Sequence, residues 1–406
     1  MSLLARVRAA TPGVEWEAAL PARVAPSGDP KASLERIARR LSIELEDASE
    51  TLVLLNDESR SVNPGLVACV LGTALASSKR VKVIFARGSH PLPTPDEHID
   101  AAFSLLDASA RRSVEVSHHD ARRSPFVEVG GMPLHRAVAE TEHVLALGSV
   151  EPHYFAGWTG AHKTATIGVM GLEGIEANHE GALEPDSAPL VLDGNPVFEG
   201  VARVANALGE RLLCVNEVRA PGSDDGRMIA WSVGRWRPAL EQVLPEARVA
   251  FVREVRGPFD LLVAAVEGPL GRNLYQAEKG VKNSERCVAD GGAVVLHAPC
   301  PAGLGQDRFL GLLERARTHE DALRVVSEEG YRLGDHKAVK VRALEARGVR
   351  WHLACPGISA FPEAAARVRA AGFQLTASLE EALHAAGDRK RGLLVQDAGN
   401  LVATLA

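Results

Sequence analysis

Short runs of β-branched and aliphatic residues alternate along this chain with longer Ala/Leu/Arg stretches of helical period. That alternation leaves few architectures open besides βαβ units wound around parallel sheets. Strands are expected at Thr51–Leu55, Val81–Ala86, His143–Leu147 and Leu212–Val215. After Arg256-Gly257-Pro258 the pattern restarts, with strands at Asp260–Val266, Ala293–His297, Val349–Ala354 and Gly392–Gln396. Helices are expected at Pro64–Ala76, Pro196–Ala207, Asn273–Val281, His319–Glu329, Pro362–Ala371 and Leu379–Ala386, and Pro221–Arg227 reads as a polar loop. The expected fold class is α/β, with two α/β domains built on parallel-type sheets and a cleft between them. The first would span residues 1–256. The second, 257–406, would close over the cleft, its last residues packing back on the first.

The 406 residues are enough for two or three sizeable cores. A formal net charge of −6 argues against nucleic acid or an anionic membrane as the main partner, since both attract a basic face. The first twenty residues lack the apolar core of a signal peptide, and no 18 apolar residues run unbroken, so a cytoplasmic location is expected. Cys69, Cys214, Cys287, Cys300 and Cys355 lie far apart with no CxxC pair, as expected of thiols in a reducing compartment.

In parallel α/β sheets ligands bind at the carboxyl ends of strands, and the residues just after these strands are chemically rich. Asp57 and Arg60 follow the first strand, His90 the second and His153 the third, while Gln276 and Lys279 follow the first strand of the second half. The stretch Glu151–His179 sets His153, Lys163 and His179 around the small-residue turn Gly157-Trp158-Thr159-Gly160-Ala161. Such a turn lets backbone N–H groups converge on a phosphate. It is not a Walker loop, which needs four residues between its glycines and a glycine directly before the lysine.

Histidine titrates near neutrality, so His90 and His153 are candidates for giving and taking protons on opposite faces of a substrate. A buried lysine loses proton affinity and becomes a nucleophile or covalent anchor, the reading for Lys163. On its helix His179 is either a metal ligand or a partner of Glu176 or Glu180. No HExxH and no strand-linked GxGxxG occurs. His118-His119, amid Asp120 and Arg122-Arg123, reads as solvated surface. Arg60 and Lys279 suit a small carboxylate, and Gln276 shares a helix face with Lys279.

These residues, taken in order, resemble the nickel-pincer lactate racemase family. The match runs through Asp57-x-x-Arg60, Gly88-Ser89-His90, Glu151-Pro152-His153, Ala156-Gly157-x-Thr159-Gly160, Lys163 and Asn178-His179, then Gly194-Asn195-Pro196 and Tyr275-Gln276-x-x-Lys279. The resemblance implies an isomerase that interconverts the configurations of a 2-hydroxy acid by hydride abstraction and return, through a 2-keto acid. It implies a nickel-pincer nucleotide, a pyridinium-3,5-dithio mononucleotide, tethered to Lys163 with nickel bound by His179. Thr159, Gly160, Gly157 and Ala161 would hold the cofactor phosphate, and Asp57 would support cofactor or substrate. His90 and His153 would be the acid/base pair, and Arg60, Tyr275, Gln276 and Lys279 would bind substrate. Cofactor-synthesis proteins would load the enzyme.

The chain departs from the family pattern in three places. Asp57-Glu58-Ser59-Arg60-Ser61 replaces Asp-x-Thr-Arg-Pro, and Thr159-Gly160-Ala161 stands where Ser-Gly-Gly often precedes the lysine. The stretch Gly334-Asp335-His336-Lys337-Ala338 lacks a tryptophan that the family offers to lactate, so His336 or Lys337 would face the pocket. A larger or more polar hydroxy acid, or a sugar acid epimerised at C2, fits these departures. Two other readings of the residues stand beside this one. One is a different metal enzyme with His90, His153 and His179 as ligands, and the other a non-catalytic carboxylate-binding protein.

Overall fold

The computed structural model describes every residue except 23, 26, 27, 47, 59, 61 and 222–226. The core of the expected loop at Pro221–Arg227, with Ser59 and Ser61 of the Arg60 motif, lies outside the described residues. Twelve strands build two six-stranded sheets: β1 (Glu15–Ala19), β2 (Ala48–Asn56), β3 (Ser78–Ala86), β4 (Val114–His118), β5 (His143–Ser149), β6 (Leu212–Arg219), β7 (Met228–Arg235), β8 (Phe259–Ala265), β9 (Val288–His297), β10 (Arg350–Ala354), β11 (Gln374–Thr376) and β12 (Arg391–Gln396). The first sheet runs β7-β6-β5-β2-β3-β4 and is parallel except for β7 at its edge. The second runs β1-β12-β8-β9-β10-β11 and is parallel throughout. The fold is thus α/β, with two parallel-type sheets in two units.

Both faces of each sheet are buried, so the strands read as continuous apolar runs. Val53, Leu55, Val83 and Leu145 point to one side of the first sheet, packing on helices Pro30–Glu44 and Pro64–Ser77. Leu52, Leu54, Val144 and Ala146 point to the other, toward Pro196–Leu208 and Trp236–Phe251. Asn63 and Asn195 start two of these helices, each side chain accepting from backbone N–H groups of a first turn opened by proline.

The units divide near the expected hinge, with a difference at the N-terminus. Helix Leu3–Ala10 and β1 precede residue 256 yet belong to the second sheet, where Trp16 covers Gly392 so closely that an added Cβ would lie 2.7 Å from the indole. Two short strands complete the link, Val252–Val255 pairing with Val402–Leu405. The expected helix at Asn273–Val281 is two single turns, Leu274–Ala277 and Lys279–Lys282.

The strand order sets the position of a site. In the first sheet the chain builds outward from β2 to β4, then crosses to the other side of β2 for β5. In the second it builds from β8 to β11, then crosses to the other side of β8 for β12. At such switch points adjacent loops diverge and leave a crevice. Asp57 and His153 follow the two strands flanking the first switch, and Tyr275 to Lys279 follow β8 beside the second.

One close approach fixes this geometry. The turn Gly160–Thr164 lies directly on β5 at Gly148, where an added Cβ would be 2.2 Å from the Ala161 nitrogen and 2.4 Å from the Gly160 carbonyl carbon. Gly148→Ala is expected to lower stability by about 1–3 kcal/mol through overpacking, read as a fall in the urea midpoint. An unchanged midpoint would show that the turn shifts freely on the strand.

Candidate active site between the two units

A cavity of about 520 Å³ opens where the two switch points face each other. From the first unit it is lined by Asp57, Arg60, His90, His153, Thr159, Gly160, Lys163 and His179, and from the second by Tyr275, Gln276 and Lys279. Of the residues picked out in the sequence, Gly157 and Ala161 are the two that do not reach it. Gly157 sits at φ +73° in a two-residue strand pairing with His153, and an added Cβ would meet the Val191 carbonyl oxygen at 2.0 Å. The Ala161 N–H donates to the buried Asn216 Oδ1 at 2.9 Å.

Part of the expected phosphate turn is thus taken up in packing, while Thr159 and Gly160 line the cavity. The N–H groups of Thr159, Lys163 and Thr164 bond to the carbonyls of Glu151, Gly160 and Gly160, and the Thr159 hydroxyl donates toward the Ser149 and Glu151 carbonyls. The turn is a brace. It fixes Lys163 against β5, while the Thr164 hydroxyl anchors to Asn56 Oδ1 at the end of β2 (2.8 Å).

The two histidines are held differently. His90 Nδ1 lies 2.5 Å from Asp57 Oδ2. A carboxylate accepts only, so Nδ1 carries the hydrogen and Nε2 presents a lone pair. Its loop is pinned by buried Arg87, which grips Glu58 with two bonds (2.6 and 2.9 Å) and reaches Thr94 (2.9 Å). His153 Nδ1 instead accepts the Ala156 N–H at 3.2 Å, so its neutral ring carries hydrogen at Nε2. The ring is wedged against Tyr154 and Phe155. Burial, then the positive charges of Lys163, Lys279 and Arg60, hold it well below the ordinary histidine range, so it is neutral at pH 7.

His179, on helix Leu172–Glu180, shares its Nδ1 with Asn178 Oδ1 at 3.2 Å, and burial lowers its pKa to about 3. With Nδ1–H donated to the amide, neutral Nε2 is left with its lone pair available, as in histidines that bind metals. Neither Glu176 nor Glu180 pairs with it; Glu176 accepts the Leu333 N–H of the second unit. Among the described residues no three His, Cys, Asp or Glu side chains converge on one point as metal ligands. That overturns the reading of His90, His153 and His179 as a three-ligand metal centre.

Charge is the dominant property of the cavity. Arg60 is paired with Glu151, and Lys337 with Glu278 at 2.9 Å, both partners of the second pair 1% exposed. Among the described residues no carboxylate lies within 4 Å of the Lys163 or Lys279 ammonium. Burial, then Arg60, lowers the Lys163 ammonium to about 7, and burial with Lys337, Arg60 and Lys163 holds Lys279 well below the ordinary lysine range. Two buried lysine amines without an ion-pair partner, each favoured in its charged form when an anion enters, make a receptor for anions.

Several residues emerge only in three dimensions. Asp57, expected to touch cofactor or substrate, orients His90 as well as lining the cavity. His336 and Lys337 do face the cavity, but neither is free. His336 has Tyr154 Oη at 2.9 Å on Nε2 and Tyr331 Oη at 2.6 Å on Nδ1, and Lys337 is neutralised by Glu278. Asn195, besides capping its helix, donates to the Phe155 carbonyl at 2.9 Å and fixes the turn carrying His153. His119 is fully buried, its Nε2 bonded to the Met170 carbonyl at 2.9 Å, and burial lowers its pKa to about 4. The surface reading of His118-His119 thus fails for His119, because β4 carries it under the Met170 turn.

Comparison with known proteins agrees with this geometry. The lactate racemase N-terminal domain model matches residues 25–189 and the lactate racemase C-terminal domain model residues 256–347. The lactate racemase of Thermoanaerobacterium thermosaccharolyticum is 26% identical over 290 residues, 69% of this chain and 63% of that one. That of Lactiplantibacillus plantarum is 24% identical over 275 residues, 64% of this chain and 62% of that one. The match therefore spans just under two thirds of either relative. The apoprotein structure from T. thermosaccharolyticum superimposes with a TM-score of 0.78 at 20% identity, covering 91% of this chain and 93% of that one. A Thermotoga maritima protein gives 0.72 at 15% identity, covering 93% and 99%. At these identities the structural likeness speaks for the fold.

With a pKa of about 7, half of Lys163 is free amine at pH 7, against roughly one in 2,500 for an ordinary lysine. Below pH 6 it is protonated and unreactive; above pH 8 it is fully nucleophilic. Limiting acetic anhydride should therefore acetylate Lys163 with a midpoint near pH 7, followed by peptide mass spectrometry. A midpoint near 10 would place the ammonium in water.

Proposed function

The chain belongs to the lactate racemase family, and we propose that it interconverts the two configurations of a 2-hydroxy acid. The observation that carries this reading is the placement of His90 and His153 on one cavity with Lys163, His179 and an excess of positive charge. The substrate carboxylate would be received by Lys279 and Arg60, with Gln276 and Tyr275 beside them. Lys337, already neutralised by Glu278, offers no receptor for a second carboxylate. Gln276 Oε1 and Gln306 Oε1, both buried on the cavity wall without a hydrogen-bond partner among the described residues, favour a hydroxy acid with more hydroxyls than lactate.

The family implies a nickel-pincer nucleotide, and the residues fit it. Lys163 is a reactive amine with no ion-pair partner among the described residues, suited to a covalent tether, and His179 offers one neutral Nε2 for nickel, the other donors having to come from the nucleotide. When bound, that group would supply the hydride-accepting centre that makes a hydroxy acid and its planar 2-keto acid interconvertible. The protein's own part is proton handling and placement. His90 Nε2, with Asp57 stabilising the positive charge that develops on the ring, takes the hydroxyl proton on one side. On the other side His153 would give a proton from Nε2 of its protonated ring and take one there as the neutral ring, Nδ1 keeping a hydrogen in both roles, so the Ala156 N–H contact on Nδ1 must loosen during turnover.

The test is protein produced with the cofactor pathway, assayed for nickel, for a nucleotide adduct on Lys163 by mass spectrometry, and for interconversion of 2-hydroxy and sugar acids by chiral chromatography. His90→Ala and His153→Ala should each lower the rate by about 10²–10⁴ while nickel stays bound. His179→Ala should lose nickel. Unimpaired interconversion in His153→Ala would remove the two-histidine mechanism, and a loaded host yielding unmodified Lys163 would leave a carboxylate-binding protein.

Asp57→Asn should leave the adduct in place and lower kcat by about tenfold or more. KM should stay close to that of the parent, whereas a purely structural Asp57 would change stability without splitting kcat from KM.

A further inference from the structure

A second cavity, of about 300 Å³, lies behind Tyr154, which walls both spaces. Both units build it. Ser187 and Leu190 come from the segment after the His179 helix, whereas Lys282, Arg286, Lys340 and Val402 come from the second unit. Lys282 is occupied, donating to Glu285 Oε2 and to the Lys340 carbonyl, each at 2.6 Å. Lys340 Nζ reaches across the boundary to the Ser187 carbonyl at 3.2 Å.

Lys340 and Arg286 make no ion pair among the described residues. Glu285, which lines the cavity and is paired with Lys282, attracts Lys340 from beyond 4 Å, and Arg286 repels it, so the three cations of this cavity outnumber its one carboxylate. Burial, then the charge of Lys282, lowers the Lys340 ammonium to about 8. Holding a cation partly out of water without a counter-ion is costly. The remaining wall is largely apolar, with Leu190 and Val402 on opposite units. A cation pair beside an apolar wall matches an anion with an apolar body, not a bare inorganic ion.

We propose that this second cavity is an effector site for a small organic acid, its carboxylate on Lys340 and Arg286 and its apolar body against Leu190 and Val402. Because both units supply the walls, an occupant favours their closed arrangement. Tyr154 carries that preference to the main cavity, where its hydroxyl meets His336 across the same boundary.

Calorimetric titration of the full chain with hexanoate, and separately with inorganic phosphate, tests this. The main cavity also attracts anions, so the background is the Arg60→Ala/Lys279→Ala double variant, which removes two of its cations. Hexanoate should still bind there near one per chain. Adding Arg286→Ala, an exposed position that should not perturb folding, or Lys340→Met should weaken binding by at least about tenfold. Amide exchange across Tyr331–Lys340 should slow with hexanoate present. Loss of hexanoate binding in the double variant alone, or binding indifferent to Arg286 and Lys340, would overturn the site. Phosphate binding there in place of hexanoate would overturn the organic-acid assignment, and unchanged exchange would overturn the coupling to closure.

Discussion

Two ammonium groups from different sheets, Lys163 and Lys279, share one enclosed space without a carboxylate to neutralise either. Burial and Arg60 lower the proton affinity of Lys163, and burial with Lys337, Arg60 and Lys163 lowers that of Lys279. The surrounding structure holds both amines in place. The Gly160–Thr164 turn is locked on β5 through Gly148, and the second unit is docked through Tyr154–His336, Lys340–Ser187 and Leu333–Glu176 contacts. An anionic guest would favour the charged form of both amines, so affinity for anions and a reactive Lys163 are two consequences of one constraint.

The carboxyl-end residues were legible in the sequence because parallel strands buried on both faces are nearly pure apolar runs, and the first polar residue after each marks the crevice. That logic located Asp57, His90, His153 and Lys279. In the Gly157–Ala161 turn it did not separate Thr159 and Gly160, which line the cavity, from Gly157 and Ala161, which serve close backbone packing. It missed β1, whose Glu15-Trp16-Glu17 alternation is too short to stand out before its pairing with β12 is seen. His119 was misplaced for a similar reason, since charged neighbours in sequence say little about a side chain that turns under a distant carbonyl. Partnerships such as Asp57 with His90, 33 residues apart, are set by strand order and have no local signature.

The stretch 334–338 shows how a substitution can be compensated out of sight. Histidine and lysine facing a cavity suggest a more polar pocket, yet His336 is saturated by two tyrosine hydroxyls and Lys337 by Glu278, with its ammonium over the Tyr154 and Tyr275 rings at 4.7 and 4.6 Å. These polar groups hold the two units together more than they present charge to a guest. Substrate choice then rests on hydroxyl groups and cavity shape, and the excess charge stays at Lys163 and Lys279.

The unequal setting of the two histidines has a consequence for any racemase built on them. Interconversion demands that each side be able to take a proton and to give one, yet a single resting state cannot have both rings as base or both as acid. His90 is tied to a carboxylate, whereas His153, packed among rings and facing Lys163, is stabilised when neutral. An anion in the cleft would offset the positive charge that disfavours protonated His153, so a substrate carboxylate would do more than anchor the substrate. It would raise the proton affinity of His153 toward the range in which the ring can both take and give a proton.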